Sequence, residues 1–339
     1  MYCNTEILDN SEPSISKAVE FLKNGEVVGI PTETVYGLAA NAFDENAVKG
    51  IFTAKGRPSD NPLIVHISDM EMIEDLVKEI PELAVRCAEK FWPGPLTMIM
   101  PKSDMIPMIT SGGLDTVGIR MPSHKTAQLV IRKCGFPLAA PSANLSGSPS
   151  PTTAKHVFDD MNGRIPCIID GGFSAVGVES TVISFENDGI RLLRPGFVSV
   201  EDLKEITENV FIDDGVLNML KKDAVAASPG MKYKHYSPAA DVILIDGDTE
   251  KFRNYVNANA ENGTWCMTFS DKDLNGINVP FLSYGDTDIK QAHMLFDVLR
   301  ELDNKGAKKV FARCPNKTGV GLAVYNRILR SAGFQVIKL

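Results

Sequence analysis

The sequence has no two cysteines placed to share a metal or close a short disulfide loop. Its six, Cys3, Cys87, Cys134, Cys167, Cys266 and Cys314, lie far apart, with no C-x-x-C pair and no neighbouring histidine. That spacing argues against a structural zinc site and a disulfide framework, and reads as buried thiols in a reducing cytoplasm. Long apolar runs are also missing, since nothing approaches the ~20 residues that a membrane span needs. The opening Met1-Tyr2-Cys3-Asn4-Thr5-Glu6 shows no basic stretch followed by an apolar one, so no export signal is expected and the protein is expected to stay in the cytoplasm. There is no basic excess either. With 35 Lys and Arg against 43 Asp and Glu, the formal charge is -8, which argues against indiscriminate adhesion to nucleic acid or acidic membranes. Any anion site must therefore be local. Finally, no catalytic Ser-His-Asp order, H-E-x-x-H, P-loop or G-x-G-x-x-G is present, so the chemistry expected is recognition of anions.

What is present is a chain of 339 residues, 44% hydrophobic and 23% charged, enough for a sizeable core and two or three domains. Its organising stretch is Lys55-Gly56-Arg57-Pro58-Ser59-Asp60-Asn61-Pro62. Gly56 permits backbone angles closed to other residues, while Pro58 and Pro62 fix φ, withhold donors and push Arg57 and Asn61 towards extended conformations. A long cation on so stiff a loop loses less entropy on meeting an anion, and the planar fork of Arg57 suits a carboxylate or a phosphate. Taken alone, the stretch reads equally as an anion site or as a solvated turn.

In chain order, residues 14–24 predict an amphipathic helix with Ile15, Ala18, Val19 and Leu22 inward, and 27–30 a buried strand. That strand delivers the chain into Pro31-Thr32-Glu33-Thr34-Val35-Tyr36-Gly37-Leu38, a turn carrying hydroxyls, a carboxylate and a phenol where α/β proteins bind ligands. Asp44 caps a helix that runs into the Lys55 loop, and 63–67 form a buried strand that carries His66, a position where a satisfied core histidine is the commoner outcome. A helix over 81–91 stops at Trp92-Pro93-Gly94-Pro95 before a strand at 96–100. Arg120 ends a strand in Thr116-Val117-Gly118-Ile119-Arg120-Met121-Pro122, and a small strand at 137–140 leads into Pro141-Ser142-Ala143-Asn144-Leu145-Ser146-Gly147-Ser148-Pro149-Ser150. Small hydroxyl residues of this kind let backbone N–H groups approach a phosphate, although similar turns are often plain structure. Gly177-Val178-Glu179-Ser180-Thr181-Val182-Ile183 adds a loop and a strand, and Arg191 to Gly196 reads as the last strand of this half. Arg57 and Arg194 stand directly before a proline and Arg120 two residues before one, a pattern expected when several loops converge on one cleft.

The ordered set P-T-E-T-V-Y-G-L, K-G-R-P-S-D-N-P-L, P-S-A-N-L-S-G and G-V-E-S-T-V-I, beginning at Pro31, Lys55, Pro141 and Gly177, closely resembles the YrdC-type domain of threonylcarbamoyl-AMP synthases over roughly residues 10–205. Ser228-Pro229-Gly230-Met231-Lys232-Tyr233-Lys234-His235-Tyr236-Ser237-Pro238 resembles the linker of the long, two-domain form. The resemblance implies an α/β fold: a twisted mixed sheet with helices around a concave cleft in residues 1–210, a linker over 211–240, and a smaller Rossmann-like parallel-sheet domain over 241–339. Alternating strands and helices after the linker agree with that second domain, although 271–284 fit no element.

Such enzymes join L-threonine, bicarbonate and ATP into threonylcarbamoyl-adenylate and release pyrophosphate. The product goes to a tRNA threonylcarbamoyltransferase that modifies the adenosine beside the anticodon; direct tRNA binding is left open. The resemblance puts Thr34, His66, Arg120, Ala140 and Ser180 on the threonine side. It puts Arg57, Asn61, Thr116, Ser142, Ser150, Arg194 and Tyr236 on the ATP side, with Lys55 and Arg57 as catalytic groups, Mg²⁺ on the phosphates and no metal held by the protein. The carbamate oxygen would attack the α-phosphate, and positioning and charge neutralisation would supply most of the catalysis. Met231 to Tyr236 concentrate large side chains between prolines, which predicts either a lid over the cleft or glue between domains. Two other functions fit less of the chain. A carbamoyl-adenylate-forming enzyme would carry acylphosphatase and zinc modules that do not appear here, and an RNA-binding module is disfavoured by the acidic total charge and by the lack of aromatics interleaved with Lys and Arg.

Overall fold

The computed structural model of the chain describes residues 4–186, 189–219, 236–270 and 275–339. Two sheets organise it. The larger has eleven strands, in spatial order Glu6–Leu8, Cys167–Ile169, Val28–Ile30, Gly37–Asn41, Leu138–Ala139, Ile64–His66, Thr116–Arg120, Leu96–Pro101, Thr181–Glu186, Gly189–Arg194 and Val210–Ile212. Pairings are mixed, parallel for example between Ile64–His66 and Thr116–Arg120, and antiparallel between Val28–Ile30 and Gly37–Asn41. The second sheet is parallel throughout, in order Phe281–Ser283, Thr264–Thr268, Lys309–Arg313, Asp241–Asp246 and Val336–Lys338. Its strands alternate with the helices Thr249–Ala258, Asp288–Asn304 and Gly321–Ser331, as the sequence pattern implied.

Local chemistry explains the elements that carry the site. Asp44 accepts from the backbone N–H groups of Asn46 and Ala47 and so caps Glu45–Lys55, whose Ala47, Val48, Ile51 and Phe52 are buried. Gly56 ends that helix at φ 61, a left-handed conformation that a side chain would penalise, and the chain turns sharply to present Arg57. Lys55 is thus the last helical residue. In the register of the larger sheet, His66 is the partner of Arg120 across parallel strands, and Leu138 pairs with His66 from the other side. The ends of two parallel strands therefore set His66 and Arg120 side by side, while Ala140, just past the antiparallel strand Leu138–Ala139, lies one step away and donates its N–H to the Ile64 carbonyl at 2.9 Å.

Three expectations need correction. The strand Gly189–Arg194 is not the last of its half, because Val210–Ile212 adds a parallel strand beyond it; at three residues it is too short for a periodic signal, and it folds with Phe211 and Ile212 exposed. Gly37 and Leu38 belong to a strand rather than to the turn before it, and their segment Gly-Leu-Ala-Ala-Asn has little of the β-branched character that signals strands. Within the stretch that fitted no element, Phe281–Ser283 forms the edge strand of the second sheet, and residues 271–274 lie outside the described residues. Among the described residues no helix is long and apolar enough to cross a membrane.

Candidate active site

The loops that follow the strand ends surround one cleft. Thr34, Lys55, Arg57, His66, Arg120, Ala140, Ser142, Ser180, Arg194 and Tyr236 all line it. Asn61, Thr116 and Ser150, also expected at the site, do not. Thr116 stands at the opposite end of its strand from Arg120. Asn61 is fully buried, and neither its Oδ1 nor its Nδ2 has a partner. Ser150 is fully buried behind the wall, where its hydroxyl donates to Glu179 Oε1.

One side of the cleft is built around Arg120, which is 4% exposed. Its Nη2 donates to Glu33 Oε1 at 2.6 Å and its Nε to the Gly94 carbonyl at 3.4 Å, which leaves Nη1 uncommitted. Beside it the Thr34 and Thr32 hydroxyls lie 2.9 Å apart, and Thr32 donates to the Val35 carbonyl at 2.6 Å. Ser180 Oγ lies 2.8 Å from Thr97 Oγ1 and accepts from Arg194 Nη2 at 3.1 Å. Burial, reinforced by the Arg120 charge, holds the His66 imidazole down at about 3, and its Nδ1 lies 3.3 Å from the Ile64 carbonyl oxygen. His66 is therefore a neutral hydrogen-bonding group at physiological pH and contributes no cation. Because the unfolded chain takes up a proton near 6.5 and the folded one only near 3, His66 favours folding above pH 6.5 and weighs against it progressively as pH falls towards 3. His66→Gln should flatten the loss of melting temperature on acidification over that window. An imidazole NMR signal showing His66 protonated at about pH 5 would contradict this assignment.

The other side gathers cations. The Lys55 ammonium donates to the Ser142 and Asn144 carbonyls and to Asn144 Oδ1, so it ties the hydroxyl loop to the end of its helix. Burial and the neighbouring Arg57 lower its pKa well below the usual lysine range. Ser142 Oγ donates to Asn144 Oδ1 at 2.6 Å, and the Asn144 amide closes the loop on Leu145 and Ser148. Tyr236, 5% exposed, reaches the cleft from the start of the second unit at φ 63. Of the segment expected to act as lid or glue, residues 228–235 lie outside the described residues. The cleft thus concentrates Lys55, Arg57, Arg120 and Arg194 in a chain whose overall charge is -8. It is a local basic cavity.

Sequence reasoning assigned no role to Glu33, Glu179 or Arg327. The first two stand inside quoted motifs as carboxylates among small residues. Arg327 lies in the helix Gly321–Ser331 of the second unit and is fully buried: Nε donates to Glu179 Oε2 at 2.8 Å and Nη1 to the Pro195 carbonyl at 2.9 Å. Its signal was weak: a cation one turn before Arg330 in a helix of otherwise mostly apolar residues.

Residues 20–196 match the Sua5–YciO–YrdC family model, described as telomere recombination, and residues 198–333 match the threonylcarbamoyl-AMP synthase C-terminal domain. The chain belongs to the threonylcarbamoyl-AMP synthase family. It is 46% identical over 332 residues to the threonylcarbamoyl-AMP synthase of Pyrococcus abyssi, covering 97% of this chain and 96% of that one. The Bacillus subtilis enzyme of the same name is 42% identical over 341 residues, covering 98% and 97%. The crystal structure of P. abyssi Sua5 complexed with L-threonine superposes with a TM-score of 0.92 at 44% identity, covering 99% of this chain and 100% of the other. Escherichia coli YciO shares the fold over 59% of this chain and 97% of its own, with a TM-score of 0.52 at 24% identity. The family resemblance read from the four motifs is therefore correct, as is the mixed sheet followed by a parallel one.

Proposed function

We propose that this protein condenses L-threonine, bicarbonate and ATP into L-threonylcarbamoyl-adenylate with release of pyrophosphate, supplying the threonylcarbamoyl group for tRNA modification. The observation that carries this reading is the pairing, in one cleft, of a buried arginine flanked by hydroxyls and a neutral histidine with a second set of cations on a hydroxyl loop. Arg120 Nη1 is the donor for the threonine carboxylate. Thr34, His66 and Ser180 are within the same cleft wall for the amine and the hydroxyl, and Ala140 packs against the methyl group. Arg57, Ser142, Arg194 and Tyr236 face the nucleotide, and Lys55 holds the Ser142–Asn144 backbone against it. Asn61, Thr116 and Ser150, expected on the nucleotide side, do not line the cleft; of the three, Ser150 is joined to it through the carboxylate of Glu179.

Once the threonine nitrogen carries the carboxyl group, a carbamate oxygen attacks the α-phosphate and the pyrophosphate leaves in line. The protein's contribution is to hold the reactants in line and to neutralise charge on the phosphates, so no protein nucleophile is needed. Among the described residues no group of three or more His, Cys, Asp or Glu is placed to hold a metal ion. Both Glu179 oxygens are engaged by Ser150 and Arg327. A Mg²⁺ ion brought in with ATP would supply further charge neutralisation on the phosphates. Pure protein given ATP should release pyrophosphate only when threonine and bicarbonate are both supplied. Release that persists without threonine would contradict this function and favour a carbamoyl-adenylate or simple hydrolytic reaction.

A further inference from the structure

The two units do not merely abut; the second reaches the rear of the cleft. Val35 and Val178, each adjacent in sequence to a residue of the cleft wall, bury their side chains in the apolar cluster of the second sheet. Gly177, at φ 85, has no room for a side chain, because a Cβ there would lie 2.4 Å from the His293 carbonyl oxygen in the helix Asp288–Asn304. Two arginines of the second unit then bracket the residues behind the nucleotide side. Arg300 donates to the Pro149 carbonyl at 2.6 Å and pairs with Asp160 at 2.7 Å. Arg327 pairs with Glu179, whose other oxygen accepts the Ser150 hydroxyl, and both partners of that ion pair are almost wholly enclosed.

A lone carboxylate buried in a cleft that receives a triphosphate would repel it and would be costly to desolvate. Glu179 is not alone. Burial by itself would push its carboxyl up, but Arg327 and Arg194 outweigh this and hold it below the usual carboxylate range. We infer that Arg327 is a positioning residue of the active site, supplied by the second unit: through Glu179, which lines the cleft and is braced from behind by Ser150, it fixes the Glu179–Ser180 turn for the nucleotide, and it cancels the buried negative charge beside the phosphates. The inference rests on the ATP-dependent reading above. It also gives the two-unit chain a reason to keep its units together.

The test is Arg327→Met in the full-length protein, with pyrophosphate release measured against ATP and against threonine separately, and binding of a non-hydrolysable ATP analogue measured by calorimetry. Leaving Glu179 charged without its ion-pair partner, with only the Ser150 hydroxyl on its other oxygen and the Arg194 charge nearby, should raise KM for ATP by at least about tenfold and weaken the analogue to match, while KM for threonine moves by less than about threefold. Combining Arg327→Met with Glu179→Gln removes the stranded charge and should recover most of the affinity for ATP. A third variant, His293→Ala, loosens the interface at Ala175 without touching the bracket; it should lower the melting temperature and leave KM for ATP unchanged. If Arg327→Met is too unstable to purify, the double variant and Arg327→Lys carry the comparison by the same readouts. Unchanged ATP binding in Arg327→Met, or a double variant as weak as the single one, would overturn the inference. If the wild type binds the analogue but shows no threonine-dependent release, the proposed reaction fails while the binding comparison still decides the role of Arg327.

Discussion

Arg120→Ala should abolish measurable threonine binding while leaving the affinity for ATP within a few-fold of the wild type. The guanidinium is buried, two of its nitrogens are fixed by Glu33 and Gly94, and the remaining one is aimed by that scaffold and not by its own flexible stem. Truncating one partner of a desolvated charge pair costs ~2 to 5 kcal/mol, which corresponds to a loss of roughly 30-fold to several thousand-fold. The larger figure is expected here, because removing the arginine also strands Glu33, whose Oε2 already lacks a partner, and a bare carboxylate then faces the incoming carboxylate of threonine. Folding and recognition can be separated. Arg120→Ala with Glu33→Gln should regain melting temperature without regaining threonine. Equal losses for threonine and ATP in calorimetry would show that Arg120 serves the structure of the cleft and not the substrate.

The second large effect is selectivity for a hydroxyl. Threonine and valine differ by an exchange of hydroxyl for methyl, and the wall around Arg120 is made of Thr34, His66 and Ser180. These polar groups are enclosed and partly committed to neighbours, Thr34 to Thr32, Ser180 to Thr97 and His66 to the Ile64 carbonyl. A substrate hydroxyl can join such a network, whereas a methyl group leaves its members short of a partner. Sites built in this way reject the analogue lacking the hydroxyl by as much as ~10⁴-fold. Serine, which keeps the hydroxyl and loses only a methyl, should be the better surrogate. Valine that supported pyrophosphate release as well as serine does would mean that shape alone selects the amino acid.

Much of this site was legible because it is assembled from short motifs at strand ends. A stiff loop with two prolines announces Arg57, and a strand that stops two residues before a proline announces Arg120. The register that makes His66 the neighbour of Arg120 is long-range and was not readable, since the pairing of Ile64–His66 with Thr116–Arg120 crosses about fifty residues of chain. Lys55 shows the limit of reading charge from sequence. Its position suggested a cation offered to a phosphate, but the structure turns the ammonium onto the carbonyls of Ser142 and Asn144. Short, exposed or Gly- and Ala-rich strands such as Val210–Ile212 and Gly37–Asn41 escaped because neither carries an alternating apolar signal. Arg327 escaped for another reason: a buried interdomain ion pair is a property of two segments about 150 residues apart, and neither segment alone signals it.

The central claim is that one cleft joins threonine, bicarbonate and ATP through a new bond to the α-phosphate. It is tested most directly by incubating the protein with ATP, threonine and ¹³C-bicarbonate and analysing the nucleotide products by rapid quench and mass spectrometry. Threonylcarbamoyl-adenylate carrying the label, formed in step with pyrophosphate, is the predicted result. Pyrophosphate appearing with AMP alone, or with an adenylate that contains threonine but no labelled carbon, would contradict the account.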